Sequence, residues 1–300
     1  MKKKRILSAG DFPNSKGGIY NPSVINFNNE LICITRVESK PEHKRKDWLD
    51  TTAEAYLTYL DSDLNTLHST PLTLIGFETI EAFRIEDFRL FEFCGVIHVA
   101  HPLVTKEGVR QALSKIVDNT LVLVHTFDSP FDRQVEKNWG FFVDKEELFV
   151  LYSIDPWVIY RVRSDYSLEL VVRDNYNGKW EVNKEDSMLS LSTLPILYNG
   201  QSYLTITHSR VSGKYIQGAI LFDRDSFLPV YGTSQAFLRG GKEKGIRPNV
   251  LYVSGIHLTE KEIHLFYGEG DTHSSVYTIG KLEFNKIIYK NKIIYDNKTY

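Results

Sequence analysis

The chain is a succession of short strand-like runs with almost nothing of helical period between them. ELICITRV, VIHVAH, LVLVHTF, ELFVLYSI, WVIYRVR, SYLTITHS, AILFD, VLYVSGIHL and EIHLFYG are rich in β-branched and aromatic residues and end at Gly, Asn, Asp or Pro. In SYLTITHS the alternation is clean, with Leu204, Ile206 and His208 on one face and Thr205 and Thr207 on the other. FNNE, YNGQ and LTEKE supply turns between runs. The strongest helical candidate is the weak pattern from Asp47 to Leu60. Many strands without helices require a sandwich, a barrel or a propeller. About 20 strands are too many for one sandwich, but they fill five four-stranded blades of about 55 residues each. The expectation is an all-β, five-bladed β-propeller over residues 1–300. No Gly, Ser or Pro linker divides it, and KPEHKRKDWLD (Lys40 to Asp50) reads as a solvated charged loop.

Composition narrows the partners. Hydrophobic residues make up 42% of the 300, enough for a large core, and 36 basic against 38 acidic side chains leave a formal charge of -2. That balance argues against nucleic acid, which needs a basic surface. MKKKRILSAG lacks the apolar stretch of a signal peptide, and no apolar run approaches the ~18 residues of a membrane span. The chain reads as cytoplasmic. The basic, amphipathic KIIYKNKIIYDNKTY at the C-terminus is expected to form a closing strand, with a surface-binding tail as the alternative. Cys33 and Cys94, both in apolar runs, are expected to be buried free thiols. They have no metal-ligand spacing, and no glycine loop of the dinucleotide or P-loop kind is present, so neither metal nor cofactor is expected.

Polar residues interrupt the strands at intervals. Arg36 ends LICITR, Glu86, Asp87 and Arg89 fall in RIEDFRLF, Lys137 and Asn138 in EKNWGFF, His208 ends YLTITH, and Glu269 and Asp271 follow LFYG. Arg36 to Asp87 is 51 residues and Asp87 to Asn138 is again 51; the next steps, to His208 and to Asp271, are 70 and 63. That is about one cluster per blade, and inner strands of all blades converge on the axis, so the clusters would meet in one pocket. Plain structural readings exist for each. Asp87 with Arg89, two apart on a strand, and Arg36 with Glu38 could be ion pairs. His208 could be a satisfied core histidine, Lys137 and Asn138 a solvated turn, and Asp271 an Asx-turn. Asp155-Pro156 reads as a turn.

In order, these segments resemble glycoside hydrolase family 130, the mannoside phosphorylases and mannosidases. YNPSVINFNNELICITRVES, EDFR, EKNWGFF, TLPILYNGQSYLTITHS with YIQGAILFD, and RPNVLYVSGIHL with FYGEGDT match that family's blade motifs between about Tyr20 and Gly280. The resemblance implies an axial pocket for a β-mannosyl unit, with Asp87 as the general acid of an inverting reaction. It implies that Asn21, Arg36, His208 and Asp271 hold sugar hydroxyls and that Lys137 and Asn138 lie near the incoming nucleophile. Glu86, Arg89 and Tyr267 belong to the same motifs and join the substrate-binding set. Partners so implied are a small carbohydrate or sugar phosphate, with inorganic phosphate as a co-substrate; oligomeric state is left open. The related mannosyltransferases share the propeller, so glycan assembly and a non-catalytic glycan-binding module are the alternatives. The chain departs from the family at Phe88, where a Pro is expected, at Ser153 or Ile154, where an Arg that binds phosphate is expected, and at MLSLST before Pro195. Arg161 or Arg163 could replace that Arg. Hydrolysis would need a second carboxylate, for which Glu269, Glu243 and Asp155 are candidates.

Overall fold

A computed structural model describes residues 2–41, 44, 53–80, 83–174, 189–233, 235–241 and 245–290. They form five sheets, antiparallel but for one added edge strand, arranged as the blades of a β-propeller. Blade 1 is Gly18–Phe27, Glu30–Glu38, Ala53–Leu60 and Thr66–Pro71. Blade 2 has a broken inner strand, Phe83–Ile85 and Arg89–Phe93, followed by Val96–Thr105, Gly108–Val117 and Thr120–Thr126. Thr73–Ile75 adds to its outer edge in parallel. Blade 3 is Gly140–Asp144, Glu147–Ile154, Trp157–Val162 and Leu168–Asp174. Blade 4 is built on Ser202–Val211 and Lys214–Asp223, with short flanking pieces. Blade 5 is Leu251–Leu258, Glu262–Glu269 and His273–Gly280, completed by Lys2–Ser8 from the other end of the chain.

The ring is sealed because both faces of each blade are apolar. Successive side chains on a strand point to opposite faces. Phe141 therefore packs toward blade 2 and Phe142 toward blade 4. Ile34 packs toward blade 2, and its neighbour Cys33 toward blade 5. Separate apolar clusters fill the blade 1–2, 2–3, 3–4, 4–5 and 5–1 gaps. This explains why runs such as LICIT are almost continuously apolar: there is no solvent face to keep polar. Phe88, fully buried with Ile34 and Ile85, anchors the break in blade 2's inner strand.

Several expectations change. The helical candidate at 47–60 is a strand from Ala53 onward, drawn into pairing with Glu30–Glu38; its earlier residues lie outside the described residues, as do most of the charged loop at Lys40 to Asp50 and the last ten positions of the chain. Among the described residues the strand that closes the ring is the N-terminal one. Lys286 to Ile288 instead end the helix Lys281–Ile288, which buries Phe284 and Ile288 against blades 4 and 5. The basic N-terminus closes the ring through charge as well as backbone. Lys3 Nζ and Arg5 Nη2 reach the buried Glu269 carboxylate at 2.7 and 3.1 Å, and Ser275 Oγ donates to it at 2.8 Å. Cys33 is buried but Cys94 is exposed, because it sits at φ 51° in the tight turn between Arg89–Phe93 and Val96–Thr105.

Two outcomes follow. A thiol reagent modifies one cysteine in the native protein, and burial, which raises the Cys33 thiol's pKa, keeps the second unreactive until denaturant is added; two fast thiols would contradict this. A chain starting at Gly10 loses the fourth strand of blade 5 and strands Glu269 without its cations, so its urea midpoint drops well below that of the full chain; equal midpoints would exclude N-terminal closure.

Candidate functional site

Four Asn and Asp residues with left-handed backbone mark the end of the ring where the clusters meet. Asn21 (φ 55°), Asp87 (φ 43°), Asn138 (φ 64°) and Asp271 (φ 50°) all line one pocket. Asn and Asp tolerate this region better than other non-glycine residues, yet such residues still cost of order 1–3 kcal/mol each and gather at functional sites. Each occurs where regular pairing fails. Asn21 lies in a register shift between Tyr20 and Ser23. Asp87 occupies the break in blade 2's inner strand, Asn138 precedes blade 3's first strand, and Asp271 is in the last turn of blade 5. A regular strand would send these side chains into the blade gaps; the left-handed residues present them to the pocket instead. Gly268 permits one close approach, since a Cβ there would come 2.4 Å from Asn21 Oδ1.

The pocket floor is a ring of buried charge. Arg36 Nε donates to Glu38 Oε1 at 2.5 Å and Arg36 Nη2 to Glu86 Oε1 at 3.0 Å. Arg84 spans the same two carboxylates, at 2.5 Å to Glu38 and 3.3 Å to Glu86. Two arginines and two glutamates thus close a neutral square across blades 1 and 2, all four residues less than a tenth exposed. The third guanidinium nitrogen of Arg36, Nη1, lies 3.4 Å from Asp87 Oδ1, and Asn21 Nδ2 donates to the same oxygen at 2.6 Å. Burial pushes the Asp87 carboxyl up, but Arg36, then Arg89 and Lys137, and the Asn21 hydrogen bond outweigh it and hold its pKa below the ordinary value. Asp87 is a carboxylate at neutral pH.

Opposite the square stands an aromatic and neutral wall. His208 Nδ1 bonds Ser192 Oγ at 3.0 Å, and its ring meets Tyr252 edge-on at 4.9 Å and lies near-parallel to Tyr215 at 5.9 Å. Burial, then Arg89 and Lys137, depress the His208 pKa to about 3, so the imidazole is neutral. Arg89 lies behind the wall, donating to Tyr252 Oη at 2.5 Å and to Asn138 Oδ1 at 3.4 Å, while Tyr252 donates to Asn138 Oδ1 at 3.2 Å. Tyr20, Lys137, Arg247 and Val250 complete the lining.

The structure therefore brings Asn21, Arg36, Glu86, Asp87, Lys137, Asn138, His208 and Asp271 into one cavity of about 150 Å3, with Arg89 directly behind it. Tyr267 is not there: it is fully buried in the core between blades 4 and 5, stacked on Tyr277 at 4.7 Å, because its strand position faces the blade gap. Asp87 and Arg89 are not an ion pair on a strand; the chain turns at Asp87, and Arg89 Nη1 donates to its backbone carbonyl at 3.3 Å. Glu269 is held by Lys3 and Arg5 at the ring closure, Asp155 is exposed in a neighbouring cavity, and Glu243 lies outside the described residues. Arg161 and Arg163 pair with Glu169 at the outer side of blade 3 and do not line the pocket. Arg84, Tyr20, Tyr215, Arg247 and Tyr252 went unnoticed in the sequence. The tyrosines looked like ordinary strand formers, and Arg247 before Pro248 gave no periodic signal. Among the described residues no group of His, Cys, Asp and Glu is arranged to hold a metal ion, and no helix is long and apolar enough to cross a membrane.

No family model and no curated protein matches the chain. Solved structures do. The chain is similar to a β-1,2-mannobiose phosphorylase from Listeria innocua, at 16% identity over 96% of this chain and 99% of that one, with a TM-score of 0.75. It is similar to a glycoside hydrolase of the GH130 family of mannoside phosphorylases that targets β-1,2-mannosidic linkages in Candida mannan, at 13% identity, 91% and 90% coverage and a TM-score of 0.67. A glycosyl hydrolase from Bacteroides ovatus matches at 13% identity, 93% and 91% coverage and a TM-score of 0.68. At these identities the likeness is one of fold.

Two measurements probe the site. Removing one member of a buried charge square leaves its partners uncompensated, so Arg84→Met costs about 3–5 kcal/mol in urea denaturation; a loss under about 1 kcal/mol, the size of an exposed pair, would contradict the square. The Asp87 carboxyl carbon, followed by NMR, titrates below the ordinary Asp value of about 3.9, and in Arg36→Met it moves upward. The corresponding stability is present above that ordinary pKa and is lost as the pH falls through the depressed one.

Proposed function

We propose that the chain is a carbohydrate-active enzyme that acts at a β-mannosidic bond, with Asp87 as its proton-transfer residue. The observation that carries this reading is Asp87 itself: a carboxylate in a small axial pocket, oriented by Asn21 and Arg36 on strained backbone. Around it stand short polar side chains from several blades and the tyrosine faces, which suit a single pyranose ring. Asn21, His208 and Asp271 are assigned to its hydroxyls. The fold shared with mannoside phosphorylases supports the choice of sugar.

In cleavage, the bond from the anomeric carbon to the leaving oxygen breaks, the leaving oxygen gains a proton by way of Asp87, and an oxygen of phosphate bonds the opposite face. The proton that the phosphate carried balances the one delivered. Direct hydrolysis would need a second carboxylate to activate water; Glu269 and Asp155 lie away from the axial pocket, and Asp271 is the carboxylate that shares it with Asp87 and the arginine-paired Glu86. A second reading, transfer of a mannosyl group to an acceptor hydroxyl, is favoured by the ionised state of Asp87. A carboxylate without its proton is ready to act as the base that deprotonates an acceptor; a resting acid would have to acquire its proton first.

The test incubates the protein with β-1,2-mannobiose plus phosphate, and with mannose 1-phosphate plus mannose. Turnover is expected in at least one direction, and Asp87→Asn lowers kcat by about 10²–10⁴-fold, the usual contribution of a proton-transfer group. The synthetic rate falls only as the pH drops below the usual Asp range. Full activity in Asp87→Asn, or no turnover of any mannoside, would sink the assignment.

A further inference from the structure

Behind His208, on the side away from the pocket, runs a chain of buried hydrogen bonds. His208 Nδ1 meets Ser192 Oγ at 3.0 Å, Ser192 Oγ meets Gln217 Oε1 at 3.2 Å, and Gln217 Nε2 donates to the backbone carbonyl of Leu251 at 2.8 Å. Ser192 and Gln217 are both fully buried. We propose that Ser192 and Gln217 are positioning residues that fix His208 as its Nδ1–H tautomer, so that Nε2 meets the axial pocket as an acceptor for a sugar hydroxyl. The inference rests on the sugar-binding reading above.

Counting hydrogens along the chain fixes the tautomer. The Leu251 carbonyl can only accept, so the Gln217 amide turns its NH2 to that carbonyl and its oxygen to Ser192. The reverse orientation would press two acceptor oxygens together. Ser192 has a single hydroxyl hydrogen, and the Gln217 oxygen takes it. Toward His208 the Ser192 oxygen is therefore an acceptor, and Nδ1 supplies the hydrogen. Burial, then Arg89 and Lys137, keep the ring neutral by lowering its pKa to about 3. A neutral imidazole carries one N–H, so Nε2 is bare.

The fold holds each member in place. His208 and Gln217 lie directly opposite each other on the paired strands Ser202–Val211 and Lys214–Asp223. Ser192 follows Ser190–Leu191, which pairs with the first of these, and its N–H donates to the Ile206 carbonyl at 2.9 Å. Leu251 opens the first strand of blade 5. The chain of bonds thus runs from the pocket through blade 4 to blade 5, and blade packing sets the tautomer. A bare nitrogen is useful there. Arg36, Lys137 and Arg247 line the pocket and only donate, so they leave hydroxyl hydrogens without acceptors. Nε2 adds an uncharged acceptor to the carboxylates of Asp87 and Asp271. Its lone pair also repels an anionic oxygen, so this side of the pocket selects a neutral hydroxyl.

Two-bond proton–nitrogen correlation spectra of the ligand-free protein, labelled at histidine, test the relay. The wild type is expected to show His208 protonated at Nδ1 and bare at Nε2. Gln217→Met frees the Ser192 hydrogen to point at Nδ1, and the ring proton moves to Nε2. Ser192→Ala removes the acceptor, shifts the ring the same way, and keeps the test valid if the first variant misfolds. In calorimetric titration both variants lose mannose affinity by about five- to ten-fold, the worth of one hydrogen bond. An Nε2–H tautomer in the wild type, an Nδ1–H tautomer that survives both substitutions, or mannose affinity unchanged in both variants would overturn the proposal. The expected tautomers in a protein that binds no mannose would support the relay and remove the proposed function instead.

Discussion

The square of Arg36, Glu38, Arg84 and Glu86 is the interaction on which the site depends. Charges taken out of water are tolerated only when paired with good geometry, and here each guanidinium bridges both carboxylates. The square is neutral, so it fixes Arg36 without leaving it an unbalanced field, and the remaining Arg36 nitrogen is directed at Asp87. It also ties the blade 1 strand Glu30–Glu38 to the inner strand of blade 2, at the place where that strand breaks. Position, orientation and ionisation of Asp87 thus come from one arrangement.

The backbone contributes a second constraint. A propeller delivers regular strands to its axis, and regular strands point their side chains into the blade gaps, where the apolar clusters lie. Functional side chains reach the pocket because pairing is interrupted at Asn21, Asp87, Asn138 and Asp271, each with positive φ. The strain is sustained by the packed blades around it, notably by Phe88 beneath Asp87 and by the absent side chain of Gly268 beside Asn21. His208, Arg36, Tyr215 and Tyr252 line the same pocket from within regular strands.

Much of this was legible in the chain. Strand density implied a propeller of short strands, and polar clusters recurring about once per blade implied a common pocket. The illegible parts have physical causes. Tyr267 and Tyr252 both sit in apolar strands, and only the register decides which faces the gap and which the axis. Glu269 read as a site acid because its partners Lys3 and Arg5 lie more than 260 positions away. Arg84 precedes Asp87 by three residues in the same motif, but its role requires Glu38 from another blade. Closure by the N-terminus was obscured because Lys2–Ser8 is rich in lysine on its exposed side, whereas the C-terminal segment had the more strand-like pattern.

The central claim is that Asp87 meets a pyranose ring at the axis. A crystal structure with mannose bound measures this directly. The account predicts the ring in the pocket between the tyrosine wall and the charge square, with an Asp87 oxygen within hydrogen-bonding distance of a sugar oxygen. A mannose found elsewhere on the molecule, with the axial pocket holding only solvent, would contradict it.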